Sequence, residues 1–266
     1  MLRSLAVLAL VAGAAVGGAV GLGSERGGEP TAVLPSPARG EEGLAQNHNT
    51  PYDGSFTFVR LRFTPSRGGF FGGREPPWAH DYPRAERNLM RILDEITQIT
   101  PFLGGGNVLT ADDPELFKYP VAYICEPGYW TPTDAEVEGL RNYLLKGGFL
   151  IVDDFRGDDL YNFEVQIRRV LPDAQLVELD VSHPVFNSFF EIHSLDFSAP
   201  TFRQYRPVYF GIFEDNDPAG RLLAVVNYNN DIGDYWEWSD VGFMPIELSN
   251  EAYKLGVNYI VYAMTH

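Results

Sequence analysis

From residue 57 onward the apolar positions alternate between two periods. Thr57–Phe63 sets Phe58 ahead of alternating Val59, Leu61 and Phe63, which predicts a first strand. Leu89, Ile92, Leu93, Ile96 and Ile99 recur at helical spacing and predict a helix over 83–99. Pro120–Cys125 is a short, almost uncharged strand. Thr131, Pro132 and Asp134 then supply a hydroxyl cap, a proline at the first helical position and an acid in the first turn. Val137, Leu140 and Leu144 form the inward stripe of that second helix, and Gly147-Gly148 stops it. Phe149–Val152 is apolar on both faces, as a central parallel strand must be. A third helix carrying Phe163, Ile167 and Val170 leads to a strand near Gln175–Leu179.

The later part changes character. Pro207–Phe213 and Leu222–Asn227 flank the turn Glu214–Gly220 and predict an antiparallel hairpin. Ser249 stands where it would cap a closing helix through Ala252, Leu255, Tyr259 and Ala263. Strand–helix alternation of this kind predicts an α/β fold: a mostly parallel open sheet flanked by helices, with an antiparallel hairpin towards the C-terminus.

Ahead of this domain, expected over 55–266, the pattern is different. Met1–Arg3 is a short basic start, and residues 4–23 carry no charge and are rich in Ala, Val, Leu and Gly. That is the layout of a secretory signal, and the chain is expected to be exported, to the periplasm or another extracytoplasmic space. The same run is long enough to hold the protein at the inner membrane if it is not cleaved. Residues 24–54 are rich in Gly, Pro, Ser and Glu without an apolar period and read as a flexible linker. A Gly-rich loop at 66–73 lacks the Lys and Ser/Thr of a phosphate-binding loop.

Composition removes whole classes of partner. The formal net charge is −16, which argues against nucleic acid and anionic lipid surfaces. The single cysteine, Cys125, excludes an internal disulfide framework and a multi-cysteine zinc site. The five histidines form no compact ligand spacing, so the sequence motifs support no transition-metal site and no cofactor.

Candidate chemistry gathers at polar strand ends, because parallel sheets bind ligands beyond the carboxyl ends of their strands. Glu126 follows one strand and Asp153-Asp154 ends another. Adjacent residues on a strand point to opposite sides, so at most one of that pair faces a crevice; the other reading is a turn cap. Two carboxylates converging there could hold a divalent cation or act as an acid–base pair on a sugar. His80, beside Asp81 before the first helix, is a candidate oriented base, with Asp81 alternatively part of the helix start. Asp231, Asp234, Trp236 and Glu237 lie in Asn229–Trp238, where acids and aromatic rings interleave as carbohydrate sites use them. The competing reading places Trp236 and Trp238 on a strand, filling the core. His183, in Ser-His-Pro-Val-Phe, reads as a structural turn.

The stretch TDAEVEGLRNYLLKGGFLIVDDFRGD, followed by SHPVF, resembles a bacterial envelope family, the domain of unknown function numbered 4159. HDYPRAERNLMRILDEIT (80–97), NNDIGDYWEW (229–238) and YKLGVNYIVYAMTH (253–266) also fit it, so the likeness runs over roughly 57–266. The resemblance implies a class I glutamine amidotransferase-like, flavodoxin-like fold and brings no established activity. Glutaminases of that wider group place a nucleophilic Cys on a glycine-flanked elbow. Cys125, between Tyr123 and Pro127, lacks that setting, so glutaminase chemistry is not expected. The favoured reading is a non-catalytic module of the envelope that binds a small molecule or a protein partner. A carboxylate-dependent hydrolase of glycans or other envelope material, and a structural subunit of an envelope complex, are the alternatives.

Overall fold

Residues 49–66, 76–197 and 204–266 are described by the structure, a computed structural model. The expected export segment, residues 24–48 of the linker and most of the Gly-rich loop lie outside them. Seven strands form one sheet: β1 (Phe56–Leu61), β2 (Pro101–Leu109), β3 (Val121–Cys125), β4 (Phe149–Phe155), β5 (Val177–Glu178), β6 (Val208–Phe213) and β7 (Leu222–Tyr228). Their spatial order is β2-β1-β3-β4-β7-β6-β5. Pairing is parallel from β2 through β7, and antiparallel between β7 and β6 and between β6 and β5.

The helices are α1 (Arg84–Ile96), α2 (Asp134–Leu145), α3 (Asp159–Val170), α4 (Ile232–Trp238) and α5 (Ile246–Thr265). Each central strand feeds two cores by its period of two. Phe58, Tyr123, Ile151 and Val225 pack with α1, α4 and α5, whereas Val59, Ala122, Leu150 and Val226 pack with α2 and α3. This is the α/β sandwich that the alternating pattern and the resemblance both imply. No helix of the described residues is long and apolar enough to cross a membrane.

Several local expectations are corrected. β2 carries no clear strand signal because Gly104–Gly106 interrupt it, yet Gly106 is required there: a Cβ would stand 2.6 Å from the Phe58 carbonyl oxygen. The cap of α2 is Thr133 rather than Thr131. Its side chain accepts from the Glu136 amide while the Glu136 carboxylate accepts from the Thr133 amide, a reciprocal box worth ~1 kcal/mol. Ser249 does not cap α5, which starts at Ile246, so the serine is buried within the helix. The segment with Trp236 and Trp238 is the helix α4, not a strand. β4 continues through Asp153 and Asp154, so neither caps a turn after the strand, the alternative the sequence offered. Asn49 and Thr50, at the end of the expected linker, are tied to β2 through Val108 and Asn107.

Candidate functional site

In the order β2-β1-β3-β4, the chain leaves β1 in one direction to β2 and later returns on its other side as β3. That reversal opens a crevice beyond the carboxyl ends of β1 and β3. The segment Pro77–Pro83, the residues after β3 and β4, and the start of α4 meet there. Four residues of this edge hold positive φ: Asp81 at 66°, Glu126 at 51°, Asp154 at 57° and Asn229 at 59°. Each costs ~1 kcal/mol or more for a residue other than glycine, least for Asp and Asn, and such strain collects where backbone placement matters for function.

The left-handed turn at Asp154 coincides with a register shift between β4 and β7, and it gives the two adjacent aspartates different roles. Asp153 is fully buried and saturated. It accepts from the Tyr123 hydroxyl at 2.9 Å, the Ile232 amide at 3.0 Å and the Gly233 amide at 3.0 Å, and so holds the first turn of α4 against the sheet. Asp154 turns the other way and meets the His80 ring, Nδ1 to Oδ2 at 2.7 Å.

Around that contact lies a dense set of donors. Ligand atoms of His80, Asp81, Asp154 and Asp231 all fall within 4.8 Å of one another, and those of Asp81, Asp234 and Glu237 form a second set of the same tightness. Asp231 also caps α4, its Oδ1 accepting from the Asp234 amide at 2.9 Å. Asp81 stands apart chemically. It is 0% exposed, and neither carboxylate oxygen has a hydrogen-bond partner among the described residues. Its Oδ1 lies 3.9 Å from His80 Nδ1. Its Oδ2 lies where a Cβ on Gly233 would be 2.7 Å away, so only glycine at that position lets α4 approach the carboxylate.

So many acids in one place work against ionisation. Burial first, then Asp154 and Asp234, push Asp231 well above the carboxylate range. Burial, then Asp81 and Asp154, lift Asp234 to about 7. Glu126 is lifted to about 9 by burial and then by the Asp154 charge, which places it beside the same cluster. The Asp81 carboxylate, more than Asp154, holds the His80 imidazole protonated well above its ordinary value. One imidazolium faces several carboxylates, and positive charge is in short supply.

A second, fully buried charge positions this edge. Arg60 of β1 donates from Nε to Glu86 Oε1 at 2.5 Å, and from one terminal nitrogen to the Trp78 carbonyl at 3.1 Å and the His80 carbonyl at 2.6 Å. The guanidinium thereby clamps the backbone that presents His80 and Asp81. Alternation of Val59, Arg60, Leu61 and Arg62 makes Arg60 look exposed, so the sequence reading missed it. β1 lies between β2 and β3 with both faces covered, and that buries it. Cys125 belongs to the same clamp: its Sγ is 2.9 Å from Arg60 and 3.3 Å from the Pro77 carbonyl, and burial pushes its thiol up. A buried, protonated thiol makes a poor nucleophile.

The remaining candidates separate cleanly. Trp236 is a core residue, its indole donating to the Ala252 carbonyl at 3.0 Å, while Glu237, one residue on, reaches the acidic cluster. His183 is structural: Nδ1 accepts from the Val185 amide at 3.2 Å. Two wider surface hollows lie elsewhere, one between α1 and α5 beside Ile92 and Lys254, the other near Glu178 and Arg206; neither contains the acidic cluster. Asp81 entered the sequence reading only as the neighbour of His80 or as part of the helix start, not as a site residue in its own right.

No curated protein matches the chain. Residues 57–264 match the family described as a domain of unknown function, DUF4159, and the chain belongs to that family.

Proposed function

We propose that this domain is an exported binding module of the cell envelope whose ligand is a divalent cation, held by His80, Asp81, Asp154 and Asp231. One observation carries the reading: Asp81 is a fully buried carboxylate neither of whose oxygens accepts a hydrogen bond among the described residues, and it lies beside three other ligand-type side chains. A buried carboxylate without hydrogen bonds is expensive, and a ligand that supplies the missing contacts offsets that cost.

Four ligand-type atoms within 4.8 Å of one another are close enough to share one ion, whose donors stand at most ~4.2–4.8 Å apart across it. The imidazole among the oxygens favours Mn²⁺ or Zn²⁺ over Ca²⁺ or Mg²⁺. Binding rather than glutaminase chemistry fits a cysteine locked into a structural clamp. Export rests on the uncharged run 4–23 behind a basic start.

Two measurements test the reading. Chelator-treated full chain should take up Mn²⁺ or Zn²⁺ in calorimetry, and Asp154→Asn should abolish the uptake while keeping the circular dichroism spectrum; a wild-type chain that binds neither ion refutes the proposal. A fusion of residues 1–54 to a reporter active only outside the cytoplasm should be active, and a stable but silent fusion refutes export.

A further inference from the structure

The cation reading accounts for one side of Asp81 only. Its Oδ1 faces His80, 3.9 Å from Nδ1. Its Oδ2 faces the start of α4, over Gly233. On that second side Asp234 and Glu237, one helical turn apart by their spacing of three, bring carboxylate oxygens within 4.8 Å of Asp81. Glu237 is 3% exposed, and Asp234 is partly open to solvent.

We infer that the edge holds a pair of divalent cations bridged by the Asp81 carboxylate, the first on His80, Asp154 and Asp231, the second on Asp234 and Glu237. The inference rests on the cation-binding reading above and extends it from one ion to two. The arrangement argues for it. Two sets of ligand-type side chains meet at Asp81, His80 with Asp154 and Asp231 in one and Asp234 with Glu237 in the other. A bridging carboxylate offers one oxygen to each metal, and paired ions ~3.5–4 Å apart are a familiar spacing for such bridges. Neither Asp81 carboxylate oxygen accepts a hydrogen bond among the described residues, whereas a single-ion site would need only one of them free.

Such a pair would bind an anionic oxygen group, a phosphate or a carboxylate, at open positions on the solvent side. That side is where His80 and Asp234 reach the surface; the His80 side chain is 44% exposed. The experiment uses the full chain, stripped with chelator and reloaded with Mn²⁺, read by calorimetric stoichiometry, native mass spectrometry and electron paramagnetic resonance. The expected result is two ions per chain with the spectrum of an exchange-coupled pair. Asp234→Asn and Glu237→Gln, made separately, should each reduce the count to one and leave an uncoupled Mn²⁺ signal. One ion per chain in the wild type, or two that show no coupling, would overturn the bridged pair and leave the first cation standing. No ion at all would overturn both readings. The wild-type spectrum decides even if a variant fails to fold.

Discussion

Two residues of this protein are equally buried and oppositely treated. Asn258 on α5 and Asp81 before α1 are each 0% exposed. Asn258 accepts from the amides of Phe189 and Phe190 at 3.0 and 2.7 Å and donates to the carbonyls of Phe186 and Phe190 at 2.7 and 2.9 Å. Asp81 uses neither side-chain oxygen among the described residues. In the first region every side-chain hydrogen bond of the asparagine is filled, and the 186–190 loop is thereby stitched to α5. By that standard an unsaturated, charged group a few residues from a clamped and strained backbone is built for something else. What marks Asp81 is the combination: a buried carboxylate with no hydrogen bond to either oxygen among the described residues, set among other ligand-type side chains.

Breaking the scaffold side gives the largest effect. Asn258→Ala strands two amides and two carbonyls, and it should cost ~4 kcal/mol in urea unfolding. Cation uptake by the folded fraction should be unchanged. Breaking the other side should act in reverse. Asp81→Asn keeps the volume and tolerates the positive φ, but it removes a buried charge that accepts no hydrogen bond among the described residues. It should abolish cation uptake and raise the stability of the chelated protein by ~1–2 kcal/mol. A loss of stability there would mean that Asp81 is a structural group after all.

The adjacent aspartates sharpen the contrast within one strand. Asp153→Asn disturbs three accepted hydrogen bonds and should cost ~1–2 kcal/mol. Asp154→Asn should leave stability nearly unchanged and remove the cation. If both variants behave alike, the division of labour at the left-handed turn is wrong.

The smallest effect is a difference in pH response, measured on chelated protein. Asp234 titrates at about 7 when folded, raised first by burial and then by Asp81 and Asp154, against an ordinary 3.8. Between those values the folded chain keeps the proton that the unfolded chain sheds. Asp234 therefore adds stability as pH falls from about 7 towards 4. His183 acts with the opposite sign. Burial, then His266, lowers its value below 6.5, so the unfolded chain takes up a proton first and stability is lost as pH falls. Urea midpoints at pH 7.5 and 5 should show a smaller acid gain in Asp234→Asn and a larger one in His183→Asn, where the amide oxygen can still cap Val185.

Much of this was legible in the sequence. Period-two runs with both faces apolar gave β3 and β4, helical stripes gave α1 to α3, and the turn at 214–220 gave the hairpin. β2 was hidden because Gly104–Gly106 have no side chains to show a period. α4 was hidden because seven residues hold too few turns to distinguish aromatic packing on a helix from alternation on a strand. At the site, Glu126 and Asp154 were visible as polar residues at strand ends, and His80 as a candidate base before the first helix. Their meeting with Asp231, Asp234 and Glu237 was not, since it depends on β7 lying beside β4. The role of Asp81 escaped because only three-dimensional bookkeeping reveals that its carboxylate accepts no hydrogen bond among the described residues, while its backbone carbonyl accepts from the Ala85 amide.

The most direct test is a side-by-side calorimetric titration of chelator-treated wild type and Asp81→Asn with Mn²⁺. Wild type should bind with a saturable heat, and the folded variant, at least as stable as wild type without metal, should show none. Equal binding by both proteins, or none by wild type with either Mn²⁺ or Zn²⁺, would contradict the assignment of Asp81 as the ligand around which this edge of the sheet is built.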